Sequence, residues 1–319
     1  MSTSNGTGKR LFIIIFVFIS LAAIAKVIGG WVGHSEENIT AKNTILHLDL
    51  KGVIMSGQKF IKNLKKYKDD DKIKAIVIHI NSPGGAVGPS QEIYSEIARV
   101  KELKKPVVCV STGVMASGAY YSAVACDKIV VAPGAMVGSI GIIMEFANLE
   151  KLYDWAKISR YTITSGKFKD SGAEFRAMRD DEKQLFQEMI TEVYQQFRKT
   201  VMENRKLNDD VMDNYADGRV FIGAKAVELG FADQVGTYED AVQMAAKIAK
   251  LGDDYEVFEI PKKKMSIFDL AAGEDEDELG SLARIFGMNA KKSSLELVQD
   301  ALQMQYLNQP MYLMPGYWK

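Results

Sequence analysis

The run Ile73–Ile80, I-K-A-I-V-I-H-I, is apolar at nearly every position and stops abruptly at Asn81-Ser82-Pro83-Gly84-Gly85. Such a run reads as a buried strand, and the Pro-Gly-Gly that ends it is a strong turn signal. Similar units repeat along the chain. Ile45–Leu50 alternates apolar and polar residues as a strand does, and helical spacing over Phe60–Tyr67 leads into the charge run Lys68–Lys74. A helix is predicted over Gln91–Leu103, a strand over Val107–Ser111, a helix over Ala116–Cys126 and a strand over Lys128–Ala132. Strands alternating with helices predict an α/β fold built from β-β-α or β-α units. Further on, Gly134–Gly141 reads as loop, Ile142–Phe146 and Tyr161–Thr164 as short strands and Leu149–Ala156 as a helix. Asp180–Asn204 reads as a long amphipathic helix, followed by helices over Ala224–Leu229 and Tyr238–Leu251 and a strand over Tyr255–Ile260. Composition shifts after Pro261: a basic stretch, an acidic stretch, then a Met- and Tyr-rich end.

Near the N-terminus, Leu11–Ala25 is an unbroken apolar run, and apolar residues resume after Lys26 through Val32. A helix over 11–32 is long enough to span a bilayer if Lys26 snorkels to the interface. Lys9 and Arg10 precede it and Glu36 and Glu37 follow it, so the positive-inside rule puts the N-terminus in the cytoplasm and the remainder outside. The small-residue end of the run also resembles a signal-peptide cleavage site, but its length and Trp31 favour a retained anchor. The formal net charge of -1 gives no basic face for a nucleic acid. The two cysteines, Cys109 and Cys126, have no metal-ligand spacing and read as unpaired structural thiols. Neither a metal nor a cofactor is expected.

Ser117 stands in M-A-S-G-A-Y-Y, between small residues, after a strand and at the start of a helix. Small neighbours let a substrate backbone approach, and a helix N-terminus offers free N–H groups to an oxyanion. A serine that opens a helix is more often a simple N-cap. Gly84 and Gly85 can turn backbone N–H groups toward a developing negative charge, although such a turn is commonly only a turn. A nucleophilic serine needs a base. Of the three histidines, His34 is beside the apolar run and His47 and His79 lie in predicted strands; none follows Ser117. Lysine is the other known partner of serine, provided that its amine is neutral. Lys167 and Lys169 in S-G-K-F-K-D follow a predicted strand, and spacing does not choose between them.

Together these pieces resemble the signal peptide peptidase A family of Ser-Lys peptidases. N-S-P-G-G at 81–85, A-S-G-A-Y-Y at 116–121, G-S-I-G at 138–141, S-G-K-F-K-D at 165–170 and D-G-R-V-F-I-G-A-K-A-V-E-L-G-F-A-D at 217–233 carry the resemblance, over about residues 40–260. It implies that Ser117 is the nucleophile, Lys169 the base, and Ser139 the serine that hydrogen-bonds the lysine. Gly85 or Gly84, with the N–H of Gly118, would form the oxyanion hole. It implies a spiral of β-β-α units similar to the Clp protease and crotonases, in the family's short, single-repeat form. It further implies a ring-like homo-oligomer, an octamer, with the dyad shared between subunits. The expected domains are a cytoplasmic N-terminus and anchor (1–33), a linker (34–43), a peptidase domain (44–261) and a tail (262–319). The expected substrates are cleaved signal peptides or other apolar peptides at the extracytoplasmic side of a bacterial inner membrane. The competing readings are a crotonase-like acyl-CoA enzyme, a Clp-like Ser-His-Asp protease and an inactive membrane scaffold. Residues 304–318 are apolar and aromatic; they read either as packing against their own or a neighbouring domain or as placing Tyr312–Met314 in a groove suited to extended peptides.

Overall fold

The computed structural model describes residues 39, 41–261 and 310–314. The anchor expected over 11–32 and most of the expected tail lie outside the described residues. Among the described residues no helix is long and apolar enough to cross a membrane.

The elements follow in chain order. They are β1 (Thr44–Lys51), α1 (Gln58–Tyr67), β2 (Ile73–Asn81), β3 (Gly84–Ala86), α2 (Val87–Glu102), β4 (Val107–Ser111), β5 (Val114–Ala116) and α3 (Gly118–Ala123). Then come β6 (Lys128–Val131), β7 (Met136–Gly138), α4 (Glu150–Trp155), α5 (Asp180–Arg205), α6 (Asp209–Tyr215), β8 (Val220–Ile222) and α7 (Gly223–Glu228). The last are β9 (Gln234–Val235), α8 (Tyr238–Ile248), β10 (Glu256–Glu259) and β11 (Met311–Leu313).

The main sheet has the order β10-β1-β2-β4-β6-β9, and every pair in it is parallel. An all-parallel sheet has to be covered on both faces, which is why β2 and β4 are nearly continuous apolar runs. Ile45, Ala75, Val77, Val108, Val110 and Val130 form one face and pack on Ala241, Val242, Ala245 and Ala246 of α8. Small residues on that helix let it lie close to the sheet. Each buried Val or Ile contributes about 1.5–3 kcal/mol through the apolar area that it removes from water. Thr237 and Asp240 form a reciprocal capping box that starts α8 at this place. On α2, Ile93, Ile97 and Val100 are buried at helical spacing.

The long strands β2, β4 and β6 are each followed, across a tight turn, by a short strand: β3, β5 and β7. The short strands form a second layer. There β5 runs parallel to β7, and β7 antiparallel to β8. Isolated bridges Ser82↔Met115 and Ile54↔Gly85 tie the turn after β2 into this layer. The carboxyl ends of the main strands therefore deliver three turns to one region, the usual place for a site in an open α/β sheet.

Four sequence expectations are corrected. Gly134–Gly141 is not all loop, because Met136–Gly138 pairs with strands on both sides. Tyr161–Thr164 alternates like a strand but has no partner, and Tyr161 and Ile163 are 86% and 92% exposed. Ile142–Phe146 forms no strand; among the described residues Ile143 makes an isolated bridge to Met311. Cys109 and Cys126, expected as free thiols, are joined in a disulfide with Cα atoms 6.0 Å apart. Cys109 is in β4, and the chain after α3 turns back toward the start of that strand, where Asp127 N–H donates to the Val107 carbonyl. That return brings two cysteines 17 residues apart in sequence to the same place.

Candidate active site

Ser117 joins β5 to α3 through a backbone of φ 53° and ψ −118°. A non-glycine residue at positive φ costs of order 1–3 kcal/mol and persists only where its surroundings hold it. Here the Ser117 N–H donates to the Gly138 carbonyl at 2.7 Å, and the Ser117 carbonyl accepts from Tyr121 N–H at 2.8 Å. The expected helix therefore begins after Ser117. The side chain is buried, and its Oγ has no hydrogen-bond partner. Ser117 is the N-cap residue of α3 by position, but its side chain forms no cap bond.

Ala116 pairs with Gly138, so Ser117 and Ser139 are the next residues on two adjacent parallel strands. Ser139 also has φ 53°, is buried, and donates its N–H to the Arg219 carbonyl at 2.7 Å. The structure thus brings the two serines side by side from segments 22 positions apart in sequence.

Gly84 has φ 100°, and a Cβ there would stand 2.1 Å from the Tyr312 carbonyl oxygen and 2.7 Å from the Gly118 nitrogen. Only glycine fits at this close approach. The Gly84 N–H donates to Ser82 Oγ at 3.2 Å. The backbones of Gly85 and Gly118 are adjacent as well: a Cβ on Gly118 would lie 3.2 Å from the Gly85 nitrogen.

The groove beside these glycines holds an extended segment of the chain itself. β11 pairs antiparallel with β3 in the register Met311↔Ala86, Tyr312↔Gly85, Leu313↔Gly84. Its other edge exchanges both backbone hydrogen bonds between Met311 and Ile143, and Met314 N–H donates to the Pro83 carbonyl at 2.8 Å. Tyr312 is fully buried, stacked on Tyr121 at 5.2 Å and against Phe197 at 4.6 Å. Burial raises the pKa of its phenol, whose oxygen has no partner. Leu313 and Met311 pack with Ala86, and Met314 with Val114 and Ala116. Of the segment expected to enter a groove, Tyr312 and Leu313 pair with β3 and Met314 packs on Ala116, the residue before Ser117.

Lys169 is exposed in the turns that precede α5, and its amine makes no hydrogen bond or ion pair among the described residues. Lys167 differs: its amine pairs with Asp181 at 2.7 Å. Ser117 Oγ touches neither lysine. His47 and His79 lie on β1 and β2 and do not bond to Ser117.

The loop that carries Lys169 is clamped from behind by a charge network that sequence reasoning missed. Arg176 donates to Glu182 at 2.5 and 2.9 Å, to the Asp170 carboxylate at 3.0 Å and to the Asp170 carbonyl at 3.0 Å. Arg179 donates to the Lys167 carbonyl at 2.8 Å and pairs with Glu182 at 2.7 Å. Glu182 is fully buried at the start of α5, and the Arg176 guanidinium holds its carboxyl below the usual range. Arg176 also lowers the pKa of Asp170. The clustering of Arg176 and Arg179 between Asp170 and the acidic run Asp180-Asp181-Glu182 was the available signal.

The segment from Leu152 to Phe168 exposes Leu152, Trp155, Ile158, Tyr161, Ile163 and Phe168.

Residues 99–252 match peptidase family S49, and residues 42–137 match the Clp protease family. A Synechocystis sp. chain provisionally named a protease is 37% identical over 216 residues, which are 67% of this chain and 78% of that one. A chain from Enterococcus faecium, provisionally named signal peptide peptidase SppA, is 31% identical over 250 residues, 73% of each chain. The chloroplastic serine protease SPPA of Arabidopsis thaliana is 30% identical over 266 residues, 82% of this chain but 39% of that longer one.

Proposed function

This chain belongs to peptidase family S49 and is a serine peptidase; from that premise we propose that it cuts extended apolar peptides with Ser117 and a lysine, Lys169, contributed by a neighbouring copy. The observation that carries the reading is the buried, unpartnered Ser117 Oγ beside a groove in which an extended segment already pairs with β3.

Ser117 Oγ attacks the peptide carbonyl while its proton passes to the neutral Lys169 amine. The resulting oxyanion accepts hydrogen bonds from backbone N–H groups, an arrangement worth about 2.7–4 kcal/mol per donor. Gly85 and Gly118 are the favoured donors, since the Gly84 N–H is already engaged by Ser82; Gly84 serves by having no side chain. Collapse expels the amine, which takes the proton from the lysine and leaves an ester on Ser117. Water, deprotonated by the lysine, then hydrolyses the ester. Ser139, next to Ser117, would hold the amine in place. Lys167 is occupied by Asp181, which leaves Lys169 as the available base.

The Tyr312 pocket, walled by Tyr121 and Phe197, suits an apolar or aromatic side chain of the substrate. Cleaved signal peptides fit that chemistry. The exposed apolar segment 152–168, contiguous in sequence with the Lys169 loop, supports a ring of subunits in which each lysine reaches the next serine. The β-β-α succession supports the spiral form of the fold. The apolar run 11–32 supports a membrane anchor, and the Cys109–Cys126 disulfide suits a domain outside the cytoplasm. A fluorophosphonate probe is expected to label Ser117 in the assembled protein and to label neither Ser117→Ala nor Lys169→Ala. Labelling that survives in Lys169→Ala at the native rate excludes that lysine as the base.

A further inference from the structure

On the sheet face beyond the N-terminus of α8, two imidazoles and a carboxylate meet outside the peptidase site. His47 and Asp49 alternate on β1 and so share a face; Asp49 is in register with His79 of β2. His47 Nε2 lies 3.3 Å from the Asp49 Oδ1, and His79 Nδ1 lies 3.5 Å from the same oxygen. One ligand atom from each of the three residues falls within 4.8 Å of the others. A tetrahedral ion with bonds of 2.0–2.1 Å to nitrogen and oxygen holds its ligands about 3.3 Å apart.

We propose that His47, Asp49 and His79 form a binding site for a divalent ion of the zinc class, with three protein ligands and an open fourth position. Imidazole with carboxylate is the donor set of zinc, cobalt and nickel, and not that of calcium or magnesium. An orienting group is in place: the Tyr238 hydroxyl lies 2.7 Å from His47 Nδ1, which turns Nε2 toward the ion, as outer partners of metal-bound histidines do. The second ring is held less firmly. His79 Nε2 is buried without a hydrogen-bond partner, and its Nδ1 stands at a long 3.5 Å from Asp49. An ion at that nitrogen would turn a loose contact into a bond.

A cation already occupies part of this field. Lys51 Nζ sits 2.9 Å from Asp49 Oδ1. Its side chain is 53% exposed, so it can move into water when a stronger cation arrives. The bound ion would join β1 to β2 and, through Tyr238, to the start of α8.

The test uses the purified full chain, stripped with a chelator and titrated with zinc by calorimetry and with cobalt by visible absorption. Expected are one ion per chain and the intense bands of tetrahedral cobalt. His79→Gln and Asp49→Asn each lower the affinity at least tenfold, and Tyr238→Phe lowers it by about tenfold. Lys51→Met raises it, because the competing cation is gone. His34→Ala, which removes the remaining histidine of the chain, leaves it unchanged. Zinc raises the melting temperature of the native chain and not that of His79→Gln. No binding, or binding that survives both His79→Gln and Asp49→Asn in folded protein, overturns the site.

Discussion

Ser117 and Ser139 share one unusual backbone setting, φ 53°, at the ends of paired strands. The strain is held by the Ser117 N–H on the Gly138 carbonyl and the Ser139 N–H on the Arg219 carbonyl. At this scale the two lysines of the 165–170 loop separate by charge. Lys167 is tied to Asp181 and lowers the pKa of that carboxyl, whereas Lys169 has no such partner among the described residues. Lys167→Ala is therefore expected to keep most peptidase activity, and Lys169→Ala to lose it. A lysine base works only when deprotonated, so the native rate should rise toward alkaline pH. Initial rates of a peptide substrate across the pH range check both. An inactive Lys167→Ala beside an active Lys169→Ala, or a rate that peaks in acid, would falsify the assignment.

Two elements bear on the site without reacting. β11 fills the peptide groove from within the same chain, at the high effective concentration of a tethered segment. Deleting residues 304–319 is expected to lower the apparent KM for peptides and leave kcat largely intact. Steady-state kinetics on the assembled, truncated protein decide this; unchanged kinetics exclude competition by the tail. The second element is the start of α5, where Asp170 and Glu182 are ionised against Arg176 and Arg179. Both carboxyls titrate below their ordinary values because of the Arg176 hydrogen bonds. A depressed carboxyl adds stability that is full above its unfolded pKa and is lost as pH falls through the folded one. The Lys169 loop should hold at neutral pH and loosen only below the usual carboxylate range. Hydrogen exchange over residues 165–180, compared at neutral and acid pH, measures it; loosening that already begins near neutrality would count against the clamp.

Across the whole molecule, the two proposed catalytic groups, Ser117 and Lys169, share no hydrogen bond among the described residues. Ser117 is buried at the sheet end, and Lys169 is exposed in a loop that follows an apolar segment left uncovered among the described residues. Burying Trp155, Tyr161 and Ile163 against a second copy would remove their apolar area from water. Co-expressed Ser117→Ala and Lys169→Ala chains are then expected to regain part of the native activity, since some sites combine an intact serine with an intact lysine. Mixed assemblies that stay silent would rule out a shared site. Trp155→Lys should weaken assembly, read by light scattering, and activity with it.

The apolar runs of β1, β2 and β4, their turns and the A-S-G and P-G-G motifs were legible because they depend on local spacing: strand period, helix period and the backbone freedom of glycine. That was enough for the α/β class and for Ser117, Gly84 and Gly85 as candidates; Lys169 and Ser139 were named only through the family resemblance, because spacing does not choose between Lys167 and Lys169. Contacts between distant segments carry no local signature. Met136–Gly138 became a strand only because β5 and β8 flank it, while Tyr161–Thr164 alternated and found no partner. Cys109 met Cys126 because the chain after α3 turns back toward β4. Tyr312 reached the pocket of Tyr121 and Phe197 from nearly the end of the chain. Periodicity determines which residues can be buried; which surfaces they are buried against was decided only by tertiary packing, because a strand's hydrogen bonds and a side chain's neighbours belong to segments far away in sequence.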